Sequence, residues 1–163
     1  MRQQLPPGAP ATSKEAFAYI GAVRSPTIND MKVMVLVEAS AKGMYDDLAN
    51  AASVPAVAEL LCANGREELG HAYRVSKAIK VLTGEAYPVP DLADNPYYEP
   101  MQNVSLSREM LEGLATLEAA GEPLYEAWAA SVGDEDAAAI FRLNGAEETG
   151  HGRRMQEAAA LMV

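Results

Sequence analysis

The sequence has a single cysteine, Cys62, in 163 residues. That excludes an internal disulfide, a zinc ribbon and an iron site built on paired thiolates. Between Leu61 and Ala63, the lone thiol reads as a small apolar side chain. Aromatic residues make up only 6% of the chain. With alanine, leucine, methionine and glutamate abundant instead, the composition favours helix over sheet. No stretch approaches the roughly 18 apolar residues that a membrane span requires. The first dozen residues, Met1 to Thr12, are rich in proline and glutamine, lack the apolar run of a signal peptide and read as a loose arm. Basic residues are outnumbered, 13 Lys and Arg against 23 Asp and Glu, leaving a formal net charge of -10. This argues against nucleic acid or an anionic membrane as a partner and leads us to expect a cytoplasmic protein.

The length fits one domain with a real core. Residues 1–24 are expected to form an N-terminal arm with a short amphipathic helix at Ser13 to Val23, and residues 25–163 a helical bundle. Ser25-Pro26 predicts an N-cap and first-turn proline, opening a helix to about Ala52. Ser53 and Pro55 give the same signal for a second helix ending near Leu82, before Thr83-Gly84. From Glu85 to Val104, four prolines among tyrosines and aspartates predict a long extended crossover. A third helix is predicted from Ser105 or Ser107 to Val132, where Gly133 breaks it, and Asp134 caps a fourth. The fold class is therefore all-α: a four-helix bundle of two hairpins joined by a crossover.

Alternating steps of four and three trace the face each helix turns to the bundle centre. In the second helix the seam reads Val57, Leu61, Asn64, Glu68, His71, Val75, Ala78 and Leu82. In the fourth it reads Ala137, Phe141, Asn144, Glu148, His151, Met155, Ala158 and Met162. Both are apolar except in the middle, where each presents Asn, Glu and His.

The two halves repeat. An offset of 80 residues lays Glu38 to Arg74 over Glu118 to Arg154 without a gap. Glu38 falls on Glu118, Tyr45 on Tyr125, Asn64-Gly65 on Asn144-Gly145, and Glu67-Glu68-x-Gly70-His71 on Glu147-Glu148-x-Gly150-His151. Each half is thus one helical hairpin, and a pseudo-twofold relates them. The repeat also sets the register. Glu38 and Glu68 each lie 15 residues from Ser53, and Glu118 and Glu148 each lie 15 from Gly133. At the α-helical rise, all four glutamates stand about 22 Å from their turns, at one level of the bundle.

The chain has only two histidines, and each follows a glutamate by three residues. Positions i and i+3 share a helix face, so each Glu-x-x-His can chelate one ion. Four carboxylates and two imidazoles, with open positions, suit two divalent ions such as iron or manganese, whose charge they neutralise. Four buried glutamates without a cation would have to take up protons. Glu67 and Glu147 are either surface charges or acceptors for the other N–H of a histidine. Arg74 and Arg154 read as ion-pair partners for such acids. The mid-helix glycines Gly65, Gly70, Gly145 and Gly150 mean either close helix packing or room for a small oxidant. Met31, Met34, Met44 and Met155 read as core.

At this point the chain resembles the ferritin-like di-iron carboxylate family, and within it the rubrerythrin group, over about residues 27 to 162. The resemblance implies that Glu38 and Glu118 are terminal carboxylates, Glu68 and Glu148 bridging ones, and His71 and His151 the nitrogen ligands of two iron ions, with manganese or a mixed pair as variants. It implies that Tyr45 and Tyr125, seven residues after the terminal glutamates, hydrogen-bond ligand carboxylates across the core. Rubrerythrins carry a further glutamate where this chain has Gly121. Glu122, beside Pro123, is the candidate supplementary ligand. The rubredoxin domain of rubrerythrins proper, with its Cys-x-x-Cys pairs, has no counterpart here, so a separate electron donor is implied. The activities implied are reduction of peroxide or dioxygen, or oxidation of ferrous iron. An oxygenase acting on a small organic substrate and an iron storage or delivery protein are the alternatives. Tyr87, Tyr97 and Tyr98 of the crossover are expected to offer an aromatic surface for a homodimer.

Overall fold

The computed structural model describes residues 2–162. Six α-helices carry the fold: α1 (Ser13–Ala22), α2 (Ile28–Ala51), α3 (Pro55–Thr83), α4 (Arg108–Glu118), α5 (Gly121–Ser131) and α6 (Glu135–Leu161). No strand occurs among the described residues. The bundle is made by α2, α3, α6 and the consecutive pair α4–α5, which together fill the third helix position. None of the described helices is long and apolar enough to cross a membrane.

The helix ends follow local chemistry. α2 begins later than the Ser25-Pro26 signal predicts, because Thr27 and Asp30 form a capping box in which each side chain accepts from the other's backbone N–H. Tyr19 of α1 also donates its hydroxyl to Asp30. α3 has Pro55 in its first turn and ends at Gly84, whose φ of 88° is the left-handed conformation that glycine adopts without strain. The predicted third helix is interrupted at Ala119–Ala120, where Ala120 N–H bonds back only three residues, to the Leu117 carbonyl. Pro123 lacks the N–H that would have bonded the Ala119 carbonyl, so the ladder cannot close there.

The two hairpin turns lie at opposite ends of the bundle, so the pseudo-twofold runs across its axis. One apolar cluster joins the first half of α2 to the last part of α3, the start of α6 and the α5 residues Tyr125 and Trp128. The other joins the end of α2 and the start of α3 to α4 and the end of α6. Between them lies the polar layer of glutamates and histidines.

The crossover spans the bundle length and is pinned to it. The buried Asn95 amide donates 2.8 Å to the Leu36 carbonyl of α2, and a short 3-10 turn at Leu92–Asp94 precedes it. Of the three tyrosines expected to form an outward aromatic surface, Tyr87 is half-buried, and Tyr97 and Tyr98 pack against the bundle. Tyr97 is buried and donates to the Pro10 carbonyl. The Tyr98 ring lies where a side chain at Gly43 would be, and its hydroxyl donates to Asp47. The segment read as a loose arm is tied along this crossover, with Gln3 N–H bonding the Asp94 carbonyl at 2.8 Å and Arg2 the Tyr98 carbonyl at 3.1 Å. α1 packs on α2 through Ala16 and Ile20, and Trp128 Nε1 of α5 donates to the Val23 carbonyl at its end.

Candidate metal centre

α3 and α6 lie against each other and bring their Glu-x-x-His faces together at mid-bundle. Glu68, His71, Glu148 and His151 are all buried and offer ligand atoms within 4.8 Å of one another. Each of the two glutamates faces both rings. Glu68 sets one oxygen 3.4 Å from His71 Nδ1 and the other 3.2 Å from His151 Nδ1. Glu148 does the same, at 3.2 Å and 3.4 Å. Glu38 of α2 stands on the His71 side, 3.8 Å from its Nδ1, and Glu118 of α4 on the His151 side, at 3.4 Å. The structure thus gathers all six residues singled out by the repeat, at one level and with the same pseudo-symmetry.

The imidazoles are held from behind by the opposite hairpin. His71 Nε2 lies 3.1 Å from Glu147 Oε2, and His151 Nε2 lies 3.0 Å from Glu67 Oε2. These carboxylates are in turn held by Arg74 and Arg154, which pair with Glu147 and Glu67 respectively. A carboxylate can only accept, so Nε2 carries the proton in the neutral ring and Nδ1 presents its lone pair to the carboxylates. Both Nδ1 atoms are buried without a hydrogen-bond partner. In the neutral rings, two nitrogen lone pairs aimed among four carboxylates fit two divalent cations.

Electrostatics give the same reading from the other side. Without a cation, protons must balance the four carboxylates. Burial pushes Glu68 well above the usual carboxylate range, with repulsion from Glu38 adding to it, and burial likewise raises Glu118. Burial also opposes charge on His151, but the carboxylates of Glu118, Glu148 and Glu68 hold its pKa up to about 12. Glu148 goes the other way: burial would raise it, yet His151 and His71 lower it to about 2. A cation at this place replaces bound protons.

Tyr45 donates its hydroxyl to Glu118, and Tyr125 donates to Glu38, each across to the other hairpin. Burial raises both phenols well above their ordinary range, with charge on Glu118 and on Glu38 adding to it, so both stay protonated donors. The open question about the glycines resolves for one pair. A Cβ on Gly65 would stand 3.0 Å from Tyr45 Cβ, and one on Gly145 3.2 Å from Tyr125 Cβ. These glycines let the tyrosine-bearing helices approach.

Gly121 is required for a similar reason. A Cβ there would stand 2.6 Å from Glu148 Cγ, so no longer side chain fits unless Glu148 moves. Glu122 points elsewhere and accepts from the Thr149 hydroxyl on α6. Sequence reasoning did not assign a role to the seam asparagines. Asn64 Oδ1 accepts from Arg154 and its amide donates 3.4 Å to the His151 carbonyl, while Asn144 makes the equivalent bonds to Arg74 and His71. Their signal was present: an amide at matching places in two otherwise apolar seams.

Comparison with known proteins returns one family. The model described as Rubrerythrin matches residues 34–159, well over half of the chain. No curated protein and no solved structure matches the chain.

Proposed function

The chain belongs to the rubrerythrin family, and from that premise we propose that it is a di-iron oxidoreductase whose principal reaction is the two-electron reduction of a peroxide. The observation that carries this reading is the pair of buried, unpartnered Nδ1 atoms facing four carboxylates. Glu38 and His71 would hold one ion, Glu118 and His151 the other, and Glu68 and Glu148 would bridge them. The bridging role is supported by the two oxygens that each of these glutamates turns to the two rings. The bound metal pair supplies two reducing equivalents, one from each ion.

The protein's own residues set the conditions for that chemistry. Glu67 and Glu147 fix the tautomer that leaves Nδ1 free, and Arg74 and Arg154 fix those glutamates. Tyr45 and Tyr125 each hold a terminal carboxylate by one oxygen, so the other oxygen is the one turned to the metal site. Their hydroxyls keep protons within one hydrogen bond of that site. The reducing equivalents would reach the bundle from an electron donor outside it.

Anaerobic stopped-flow absorbance of the ferrous-loaded protein tests the proposal. Hydrogen peroxide should oxidise the centre much faster than dioxygen does. Preference for dioxygen, with peroxide inert, would move the assignment to an oxidase.

A further inference from the structure

A cavity of about 250 Å³ runs from the protein surface to the metal-facing carboxylates. Glu38, Glu68, Glu118 and Glu148 form its inner end, and neither imidazole lines it. Much of its wall comes from pseudo-equivalent positions of the two hairpins, the pairs Val37 and Leu117, Ala41 and Gly121, and Met44 and Leu124. The small residues of the middle pair leave the space open. A Cβ at Gly121 would meet Glu148 Cγ at 2.6 Å, so glycine there lets Glu148 keep its place at the inner end of the cavity.

The outer wall belongs to α1, through Phe17, Ile20 and Gly21. This helix precedes the first residue of the region shared with the family, at 34. Phe17 is 47% exposed and Leu117, also in the lining, is 70% exposed. Large apolar side chains held open to water beside a cavity are the composition of a ligand mouth.

We propose that this cavity is the binding site for an organic hydroperoxide, with its apolar group between α1 and the hairpins and its O–O group at the carboxylate end. The inference rests on the peroxide reading above and names the substrate class. Hydrogen peroxide has no carbon to bury and gains nothing from an apolar passage, whereas each methylene buried strengthens binding roughly fourfold. Size fits as well: a cavity of about 150 Å³ holds benzene, so this one accepts a phenyl or short alkyl hydroperoxide. Arg24 also lines the cavity, its guanidinium donating to the Gly21 and Val23 carbonyls at the end of α1. The reaction is ROOH + 2 H⁺ + 2 e⁻ → ROH + H₂O: the O–O bond breaks, and the alcohol and water each take one oxygen. Both electrons are the reducing equivalents of the proposed reaction.

Two measurements on the full chain test this. Calorimetry with cumyl alcohol, the product of cumene hydroperoxide, is run on metal-free and zinc-loaded protein, where no turnover occurs. Stopped-flow oxidation of the ferrous protein then compares cumene hydroperoxide with hydrogen peroxide. The variant is Gly21→Trp, at a place where an added Cβ meets nothing within 4 Å; Leu117→Asn, at the exposed mouth, serves as the second variant. Cumyl alcohol should bind, and either variant should weaken it about tenfold and lower the rate ratio of cumene hydroperoxide to hydrogen peroxide by a similar factor. No binding of cumyl alcohol, with hydrogen peroxide still active and the ratio unmoved by both variants, overturns the cavity assignment alone. If neither peroxide oxidises the ferrous protein, the peroxide reading itself falls, and the hydroperoxide with it.

Discussion

Tyr125 of the second hairpin donates its hydroxyl to Glu38 of the first, and Tyr45 returns the same bond to Glu118. Each phenol therefore ties one hairpin to the metal-facing carboxylate of the other. Tyr125→Phe leaves a buried carboxylate oxygen without its donor, which costs about 1–3 kcal/mol. A double-mutant cycle with Glu38→Ala, which removes the acceptor, should recover most of this as coupling between the two positions. Thermal melts of metal-free protein measure it; additive losses would mean that the bond carries no stability.

The histidines depend on acids from across the bundle. Glu147→Ala should lower metal affinity about 10- to 100-fold through His71, and Glu67→Ala should do the same through His151. Competition with a chelator reads the affinity. Unchanged binding in both variants would show that the rings need no such support.

Gly121 tests the packing around Glu148. Because a Cβ at 121 would stand 2.6 Å from Glu148 Cγ, Gly121→Ala must displace that carboxylate. Overpacking of this kind costs about 1–3 kcal/mol, and the variant should also bind manganese less tightly than the parent. Equal affinity and an equal melting temperature would contradict the close approach.

Metal uptake should release protons and strengthen with pH. His151 is held protonated, with a pKa of about 12 in the cation-free cluster, and Glu68 and Glu118 are raised as well. Raising the pH weakens the proton's competition, so manganese affinity should climb from about pH 6 to 8, with proton release seen by an indicator in weak buffer. A flat affinity with no release counts against a proton-filled cluster.

Away from the metals, Asp30 gives stability a second pH dependence. Burial alone would raise its pKa, but hydrogen bonds from Tyr19 and Thr27 lower it below the ordinary 3.8. A depressed folded pKa means stabilisation that is present above that ordinary value and lost as pH falls through the lower, folded one. Asp30→Ala should cost about 1 kcal/mol at neutral pH and flatten the acid limb of the stability curve. An acid limb as steep as the parent's would remove Asp30 from the explanation.

The centre was legible in the sequence because its information is periodic. The 80-residue repeat and the Glu-x-x-His spacing are properties of helices, so Glu38, Glu68, Glu118 and Glu148 could be set at one level without coordinates. What was not legible depends on contacts without a period. Nothing local says that α1 will lie over the carboxylates, or that the Val37–Leu117 and Ala41–Gly121 pairs will enclose a cavity beneath it. Tyr97 and Tyr98 read as surface because a proline-rich crossover leaves side-chain direction unset; the Asn95 bond to Leu36 is what turns that segment onto the bundle. The cap at Thr27 was passed over for Ser25-Pro26, although Thr27-x-x-Asp30 is itself a capping-box spacing.

The central claim is that two metal ions between these carboxylates deliver two electrons together to a peroxide. The most direct test is an anaerobic titration of the ferrous-loaded protein with hydrogen peroxide, following iron oxidation and free radical release. The account predicts about one peroxide consumed for every two ferrous ions oxidised, with no radical trapped in solution. One peroxide per single ferrous ion, with hydroxyl radical released, would mean that the irons react singly and that the site is not a two-electron centre.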